Sequence, residues 1–358
     1  MPEWPVPLEF FIYLCLSEPK AGLFCVFAKQ DIMKLRQRLS YTFNSGKNPK
    51  FVYYIRSYAR LLVPQAWCRS RLNSLLARVA KRPDKDYIMR RVEYYNALTP
   101  TLLPADAPRL RDHRMGENKV YFFDTYEYTR YFDDDLRWAF LPGDVTHVPD
   151  VPSIVKSRPL TPDNANSVVM KLDKVRHFTF IKDRKSFTEK MDKVIFRGKT
   201  EDKESRIRFM QMYFDHPMCD LGDVSHSCPQ HEWIVEKMTL RAHLDYKFVM
   251  ALEGIDVASN LKWIMSSNSL AVMPKPTCET WFMEGTLIPN HHYVEIKPDF
   301  SDLEERVRYY IDHPDEAQRI IENANAYVRQ FWDKEREDLI SLLVLQKYFE
   351  QTNPGYKK

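Results

Sequence analysis

A regular alternation of strand-like and helix-like patterns, which begins at Lys193, restricts the fold of this chain more than any other feature. Apolar runs at 193–198, 246–254 and 269–274 predict buried strands, because they are short and rich in apolar residues. Segments with helical periodicity separate and follow these runs. They cover 203–214, 233–244, 257–267, 278–285, 301–313, 314–332 and 335–351, and a further strand is predicted at 292–296. Strands and helices in alternation predict a parallel sheet with helices on both faces.

The alternation is weaker upstream, but it permits a second α/β domain. Runs at 119–124, 137–144 and 168–172 predict buried strands. Met33 begins the stretch MKLRQRL, which is typical of an alternative start, so the residues before it are interpreted as a disordered or non-native extension. The predicted divisions are this extension at 1–32, a basic helical segment at 33–98, α/β domains at 99–190 and 191–332, and a C-terminal helix at 333–358.

Glycine is scarce, with 9 residues in 358. No two glycines have the spacing of GxGxxG or GxxxxGK, which excludes the standard dinucleotide fingerprint and the Walker P-loop. Gly198 and Gly254 each fall at the end of a predicted strand and before a predicted helix. In parallel sheets, ligands bind at the carboxyl ends of strands, where helix N-termini direct N–H groups at phosphate. The two glycines therefore indicate a phosphate-bearing ligand, although glycine also ends strands for structural reasons alone.

Positive charge is concentrated in one segment. From Met33 to Arg91 there are 15 Lys and Arg residues and two acidic residues, whereas the net charge of the whole chain is +4. This segment contains amphipathic helical patterns at 51–63 and 71–80. Two interpretations stay open: a surface that meets anionic lipid or a phosphorylated acceptor, and a helical cap whose basic face is merely solvated. Nothing else supports nucleic-acid binding, so no nucleic-acid partner is expected.

Cysteine usage and hydropathy indicate a reducing compartment. The six cysteines include no CxxC pair and show no disulfide spacing. No signal peptide is recognised, and no stretch reaches the ~20 apolar residues of a membrane span. We therefore expect a cytoplasmic protein, either free or peripheral on the inner face of the cytoplasmic membrane.

Five segments share their order and spacing with one known family. They are LPGDVTHVP (141–149), SIVKSRPL (153–160), VIFRGKTEDKESRIRF (194–209), YKFVMALEGIDVASNLKWIMSSNSLAVM (246–273) and CETWFMEGTLIPNHHYVEI (278–296). In this arrangement the chain resembles glycosyltransferase family 90, which includes protein O-glucosyltransferases, fungal capsule xylosyltransferases and bacterial lipopolysaccharide glycosyltransferases. The run that begins EGIDVASNLKW is most similar to the bacterial branch.

The resemblance implies a GT-B fold, in which two Rossmann-like domains face a cleft, and an inverting transfer from a UDP-sugar without a metal ion. An inverting transfer needs a base that deprotonates the attacking hydroxyl group. Asp144 falls at the position of the family's catalytic aspartate, although Asp after Gly143 is also a common turn residue. In this scheme 99–190 is the acceptor side and 191–332 binds the nucleotide sugar.

The implied reaction moves glucose, or a related hexose or pentose, to a hydroxyl group of a glycan. The expected partners are a UDP-sugar, a lipopolysaccharide core or another surface glycolipid as acceptor, and an anionic membrane surface that residues 33–91 contact. The alternative is a family member that binds a nucleotide sugar or a glycan without catalysis.

The resemblance also implies a set of donor-binding residues. Arg206 best matches the family's donor-binding arginine, and Glu279 falls where GT-B enzymes often hold the ribose. Residues 255–259 are expected to open a helix towards the diphosphate. The full implied set is Arg197, Gly198, Lys199, Arg206, Glu253, Gly254, Ile255, Asp256, Val257, Ala258, Ser259, Lys262 and Glu279, and Lys156 and Arg158 are expected to line the cleft from the first domain.

Two metal-like patterns are interpreted as structural. The run Asp133, Asp134 and Asp135 precedes a predicted strand rather than ending one, which favours a solvated loop or a helix cap. The residues His216, Cys219, His226, Cys228 and His231 are close in sequence, but their spacing matches no standard zinc site. No metal or other cofactor is therefore expected.

Overall fold

The computed structural model describes residues 46–225 and 227–356, and the described chain begins with four helices. They are α1 (Lys50–Leu61), α2 (Gln65–Leu76), α3 (Lys85–Tyr95) and α4 (Lys119–Thr129). The helical patterns predicted at 51–63 and 71–80 are confirmed, whereas the strand predicted at 119–124 is wrong.

The strand prediction fails at α4 because the buried stripe of this helix includes polar residues. Tyr121, Asp124 and Thr125 are buried and lie at helical spacing. Asp124 accepts hydrogen bonds from the Tyr53 hydroxyl (2.8 Å) and from the Lys174 backbone N–H (3.0 Å). These partners come from distant parts of the chain, so the sequence alone does not show that a carboxylate faces the protein interior.

Short strands follow α4 and form a small parallel sheet. The strands of this region are β1 (Phe140–Leu141), β2 (Ser153–Val155), β3 (Ser157–Pro159) and β4 (Ser167–Val169), and the sheet has the order β1-β2-β4. Each sheet strand is shorter than predicted. Gly143 adopts a φ of 104°, which favours glycine, so the chain turns sharply after β1 and directs Asp144 away from the strand.

The second half contains a parallel sheet, as the alternation predicts, but the sheet has five strands because it includes an unpredicted strand at Cys219–Asp223. Its strands are β5 (Met191–Gly198), β6 (Cys219–Asp223), β7 (Tyr246–Met250), β8 (Leu270–Met273) and, after β9 (Cys278–Thr280), β10 (Val294–Glu295). The spatial order is β10-β8-β7-β5-β6, and β9 pairs antiparallel with β3 instead. The chain therefore moves outward in one direction from β5 to β6 and in the other from β7 to β10. In sheets of this kind a ligand crevice opens where the order reverses, here between β5 and β7.

The remaining helices connect or follow these strands. They are α5 (Lys174–His177), α6 (Glu204–Tyr213), α7 (Leu240–His243), α8 (Leu261–Met265), α9 (Leu303–Asp312), α10 (Pro314–Arg329) and α11 (Lys334–Thr352). The helices predicted at 233–244 and 257–267 shrink to α7 and α8, and 278–285 begins with β9. The Asn260 side chain donates to the Met250 carbonyl (2.9 Å), which holds the residues before α8 in turns.

Most of the described chain packs together. Within the described residues, 47–237 and 243–356 form one compact unit, whose core joins apolar residues of the five-stranded sheet to the helices α6, α9 and α10. Gly46 and Met238–Ala242 belong to a second unit with residues outside the described ranges. The predicted extension at 1–32 also lies outside these ranges, and the predicted domain boundaries stay predictions. None of the described helices combines the length and the hydropathy that crossing a membrane requires.

Candidate active site

The reversal point between β5 and β7 brings the two strand-end glycines to one edge of the sheet. Gly198 is the last residue of β5, and Gly254 lies in the loop after β7. A Cβ atom at Gly254 would come within 3.2 Å of Arg206 Nη2. A side chain here would have to shift the guanidinium by a few tenths of an ångström, so glycine gives Arg206 room to lie against this loop.

Arg206, in the first turns of α6, joins the two loops through their backbone. Its Nε donates to the carbonyl of Glu253 (3.1 Å), its Nη1 to that of Lys199 (2.9 Å) and its Nη2 to that of Leu252 (2.7 Å). No carboxylate of the described residues lies within ion-pair distance of it. Burial lowers the pKa of Arg206 to about 10, and Asp223 offsets this only in part. A desolvated cation without a carboxylate, with N–H groups to spare, can accept an anionic ligand.

Asp223, at the end of β6, fixes the loop that follows Gly198. Its carboxylate accepts hydrogen bonds from the Thr200 backbone N–H (2.6 Å) and hydroxyl (2.5 Å), and from the Ser225 backbone N–H (2.5 Å). Burial opposes ionisation of Asp223, but these hydrogen bonds outweigh it and hold its pKa below the ordinary value. Asp223 is not among the predicted site residues, because the sequence pattern predicts no strand at 219–223.

Asp144 and Asp256 meet at one lysine. The Lys156 ammonium contacts Asp144 Oδ1 and lies 2.6 Å from Asp256 Oδ2. The Lys156 side chain is 1% exposed and that of Asp144 is 24% exposed. Burial opposes ionisation of Asp256, but the Lys156 charge and hydrogen bonds hold its pKa below the ordinary value. Because Asp256 follows Gly254 by two positions, this contact joins the loop after β1 to the loop that lies against Arg206.

Residues around α5 complete the surroundings of Asp144. Arg176 Nη2 lies 3.6 Å from Asp144 Oδ1, and its Nε contacts Asp173 Oδ2 at 2.6 Å. His177 is buried, and neither ring nitrogen has a hydrogen-bond partner among the described residues. Burial holds the pKa of His177 well below its ordinary value, and nearby Lys262, Lys156 and Arg176 act in the same direction. The imidazole is therefore neutral at neutral pH. Nothing in the sequence patterns pointed to Asp173, Arg176 or His177.

Three of the predicted site residues form internal ion pairs. Arg158 and Glu279, in β3 and β9, form a buried ion pair (2.7 Å), and the Tyr94 hydroxyl and the Gly285 N–H also donate to the Glu279 carboxylate. Lys262 is buried against the Glu284 carboxylate (2.5 Å). A nucleotide would have to break these internal pairs before it could contact these side chains. The ribose contact of Glu279, the phosphate contact of Lys262 and the cleft-lining position of Arg158 stay predictions.

Three other predicted residues have partners away from the crevice or at its edge. The Arg197 guanidinium pairs with Asp220 (2.5 Å) in β6. Lys199 is exposed and pairs with Glu201 (2.8 Å). The Glu253 carboxylate accepts hydrogen bonds from the backbone N–H (2.9 Å) and hydroxyl (2.6 Å) of Thr277, and burial raises its pKa. For all three, the side chain supports protein structure rather than lying free for phosphate.

The loop 255–259 does not open a helix as expected, because α8 begins only at Leu261. Ile255 is 63% exposed beside Gly254, which leaves an apolar side chain free at the crevice edge. Val257 and Ala258 are buried and Ser259 is exposed. Of the predicted set, the structure thus brings Arg206, Gly254, Ile255, Asp256, Lys156 and Asp144 together around the end of β7.

The two metal-like patterns lie apart from the crevice residues in sequence and have protein partners. Among the described residues, Asp133, Asp134 and Asp135 are close enough to share a cation, but Arg69 pairs with Asp134 (2.8 Å) and Arg109 with Asp135 (2.5 Å). In the second pattern, His216 lies 3.3 Å from Glu304, the sulphur of Cys228 lies 3.5 Å from the Thr200 hydroxyl, and His226 lies outside the described residues.

Comparisons with known proteins identify relatives of this chain. The family model of glycosyl transferase family 90 matches residues 167–351, which include β5, α6 and the loop after β7. The chain is 40% identical to the O-glucosyltransferase LpsA of Dichelobacter nodosus over 308 residues, which are 85% of this chain and 96% of that protein. It is also 28% identical to the protein O-glucosyltransferase 3 of Homo sapiens over 172 residues, 46% of this chain and 33% of that protein.

These similarities are long enough to fix the family. The family model spans more than half of the chain, and the bacterial relative aligns along nearly all of its own length. The alternation of strands and helices, the reversal point at β5 and β7 and the glycine that lies against Arg206 are the parts of the fold that this match includes. The chain therefore belongs to glycosyltransferase family 90 and is a glycosyltransferase.

Proposed function

We propose that this chain is an inverting glycosyltransferase of the GT-B type that moves a sugar from a UDP-sugar to a hydroxyl group of a glycan, without a metal ion. The observation that carries the proposal is the contact of Asp144, through Lys156, with Asp256 in the loop after β7. It brings a partly exposed carboxylate next to the loop that Arg206 holds. A glycosyl transfer needs these two features together: a base for the acceptor and positive charge for the leaving group.

The donor would lie at the carboxyl ends of β5 and β7. Arg206 is tied to three loop carbonyls and keeps N–H groups that are free to meet the diphosphate. Gly254 lets the backbone approach the phosphates, and the exposed Ile255 offers an apolar contact to the sugar or the base. In this proposal 191–332 is the donor side and 99–190 is the acceptor side of the cleft.

Asp144 would act as the base. The acceptor oxygen attacks C1 of the donor sugar from the face opposite UDP, and the C1–oxygen bond to UDP breaks with its electrons leaving on the diphosphate. The acceptor proton moves to the Asp144 carboxylate. Lys156 and Arg176 would hold the carboxylate in position for the reaction, because both cations lie close to Asp144 Oδ1.

The acceptor is proposed to be a lipopolysaccharide core or another surface glycolipid at the cytoplasmic face of the membrane. The resemblance to the bacterial branch of the family and the basic helices α1 to α3 support this choice. Glucose is the first donor sugar to test, because the Dichelobacter nodosus relative is named an O-glucosyltransferase. A panel of UDP-sugars, scored by the rise in the melting temperature of the full chain, would identify the donor.

The decisive experiment measures UDP release with that donor and a core glycolipid acceptor. Asp144→Asn is expected to reduce turnover by about 10²–10⁴-fold, because loss of a general base has effects of this size. Asp150→Asn, at an exposed position after the same loop, is the matched control and should keep wild-type turnover.

Turnover of Asp144→Asn within about threefold of the wild type would remove Asp144 from the role of base. UDP binding in calorimetry should survive this substitution, since the proposed diphosphate contacts come from Arg206. If the wild-type chain binds UDP but transfers no sugar to any acceptor tested, the binding-only alternative replaces the proposal.

A further inference from the structure

Helix α1 presents its apolar stripe to solvent. Its members recur at the spacing i, i+4, i+7 and i+11, which places them on one face of a helix. They are Phe51 (76% exposed), Ile55 (52%), Tyr58 (44%) and, directly after the helix, Leu62 (85%). In a globular protein the apolar stripe of a surface helix normally faces the core. The orientation of α1 is therefore the reverse of the usual one.

Polar contacts explain how α1 is held in this orientation. On the side opposite the stripe, Ser57 is buried and the Tyr53 hydroxyl donates to Asp124 (2.8 Å). On that same side, Arg60 pairs with Glu127 (2.5 Å), whose side chain is 12% exposed. These hydrogen bonds and this ion pair fix the polar side of α1 against α4. The Tyr58 ring also packs on Phe123 of α4 (4.9 Å between ring centres), so the most outward members of the stripe are Phe51, Ile55 and Leu62.

Two exposed cations lie on the rest of the helix surface. Lys50 and Arg56 fall beyond the stripe, one on each side of it on the helical wheel, and neither has an acidic partner among the described residues. Close by in sequence, at the start of α2, Trp67 is 52% exposed, and the Arg71 guanidinium lies 4.4 Å from its ring centre. An apolar stripe with Lys and Arg on the polar surface of the same helix is the composition of helices that lie in a membrane interface, where Trp is also frequent.

The high basic charge of the surrounding segment does not by itself identify this surface. Many of its arginines are neutralised by acidic residues from other parts of the chain. Such pairs are Arg69 with Asp134, Arg78 with Glu335, Arg82 with Asp333 and Arg91 with Glu337. Lys50 and Arg56 belong to the smaller set of cations in this segment that have no ion pair among the described residues, together with Arg71, Lys81, Lys85 and Arg90.

We propose that the solvent-facing side of α1, together with Trp67, is a docking surface for an anionic membrane. The apolar side chains would enter the boundary between headgroups and acyl chains, while Lys50 and Arg56 would meet anionic headgroups on either side. Cations on two sides of the stripe favour an extended negative surface beneath the helix, such as the headgroup layer of an anionic bilayer. The proposal stands apart from the catalytic one, because membrane binding is measured without donor or acceptor.

The test is co-sedimentation of the full chain with lipid vesicles. One set contains phosphatidylcholine alone, and the other contains about one third phosphatidylglycerol, as a source of negative charge. The variants are Phe51→Ser with Ile55→Ser, and Lys50→Gln with Arg56→Gln. The matched controls are Ile288→Ser and Arg319→Gln, which change an exposed apolar residue (54% exposed) and an exposed cation (69% exposed) elsewhere.

The wild-type chain should bind the anionic vesicles more strongly than the neutral ones. The apolar double variant should lower the partition coefficient by about tenfold or more, because it removes buried apolar area from the interface. Each cation removed should lower it by about fivefold on anionic vesicles only. Both controls should stay within about twofold of the wild type.

Three results would overturn the proposal. The first is no vesicle binding by the wild type, or equal binding by the apolar double variant. The second is a concentration-dependent dimer in sedimentation velocity that is lost in the apolar double variant, while vesicle binding stays unchanged. The stripe would then be the contact between two copies of the chain. The third is a fall of more than about 4 °C in the melting temperature of the variant, since the stripe would then be covered within the chain.

Discussion

Arg206 and Arg91 are both at least partly buried, but only Arg91 has a carboxylate partner among the described residues. Arg91, in α3, is 2% exposed and lies 2.5 Å from the Glu337 carboxylate of α11. It also contacts aromatic rings, including that of Phe331, whose centre lies 4.9 Å from its guanidinium carbon. Arg206 lies beside a crevice, donates to three backbone carbonyls and has no carboxylate within ion-pair distance in the described chain.

The difference separates a structural cation from one that is available to a ligand. A buried charge needs a partner, and removing that partner is costly. Arg158 with Glu279 and Lys262 with Glu284 follow the pattern of Arg91. Arg206 keeps an uncompensated charge at the point where a parallel sheet binds its ligand. We therefore expect substitutions at the paired sites to change stability, and substitution of Arg206 to change binding.

The largest expected effect is the loss of stability when the buried, paired Arg91 is substituted. Arg91→Met leaves the buried Glu337 with Lys171 (3.1 Å) and the Trp281 indole N–H (2.6 Å) only. The free energy of unfolding should fall by about 3–5 kcal/mol, because one member of a buried ion pair is lost. Urea denaturation measures this fall. Arg90→Met, at the exposed neighbouring position, is the control and should stay within about 0.5 kcal/mol. Equal stability of the two variants would contradict the comparison.

For Arg206, which has no carboxylate partner among the described residues, the expected effect is on ligand binding. Arg206→Gln should weaken UDP binding by about 10–100-fold, because a hydrogen bond to a charged group contributes about 1.5–3 kcal/mol. Calorimetry with UDP measures the loss. Arg197→Gln is the matched control, since the charge of Arg197 is already neutralised by Asp220, and it should keep UDP affinity within about threefold. A larger loss for Arg197→Gln than for Arg206→Gln would reverse the assignment of the donor-binding arginine.

A third prediction concerns the lysine that serves two carboxylates. Lys156→Met removes the cation that holds the pKa of Asp256 below its ordinary value and that contacts Asp144. Turnover should fall by about tenfold, which corresponds to ~1.4 kcal/mol, because the Asp144 carboxylate loses the ammonium group that holds it beside the Asp256 loop. Lys262→Met, at another buried lysine pair, should lower stability but keep turnover within about threefold. Wild-type turnover in Lys156→Met would show that Lys156 does not position the base.

Lys156→Met should also change how the free energy of unfolding depends on pH, and the direction of this change follows from the pKa of the Asp256 carboxyl group. Its pKa is depressed in the folded chain, so it stabilises the fold above its unfolded value of about 3.9, and this contribution is lost as the pH falls through the folded value. Without Lys156, burial favours the protonated acid. The stability difference between the wild type and Lys156→Met should therefore shrink as the pH is lowered below about 4. Thermal melts across this range measure it.

The sequence by itself determined the parts of this protein that depend on local pattern. The alternation after Lys193 predicted the parallel strands β5, β7 and β8, because short apolar runs between helical periods have few other ways to bury their side chains, whereas β6 was not predicted. The alternation also placed Gly198 at a strand end, while Gly254 lies in the loop after β7, and the order of five segments was sufficient to indicate the family. Strand β10 was found in the same way.

Only the tertiary structure decided which charged side chains are free. Glu279 and Arg158 are 121 residues apart in the chain, yet they are neighbours across β3 and β9 and neutralise each other. The same kind of contact brought Asp256 to Lys156 and Asp124 to Tyr53, and it made a helix of α4 where the apolar letters predicted a strand. A local sequence pattern shows the type of each residue. Whether a charged side chain is free to bind a ligand depends on the group that folding places next to it, and that group comes from a distant segment of the chain.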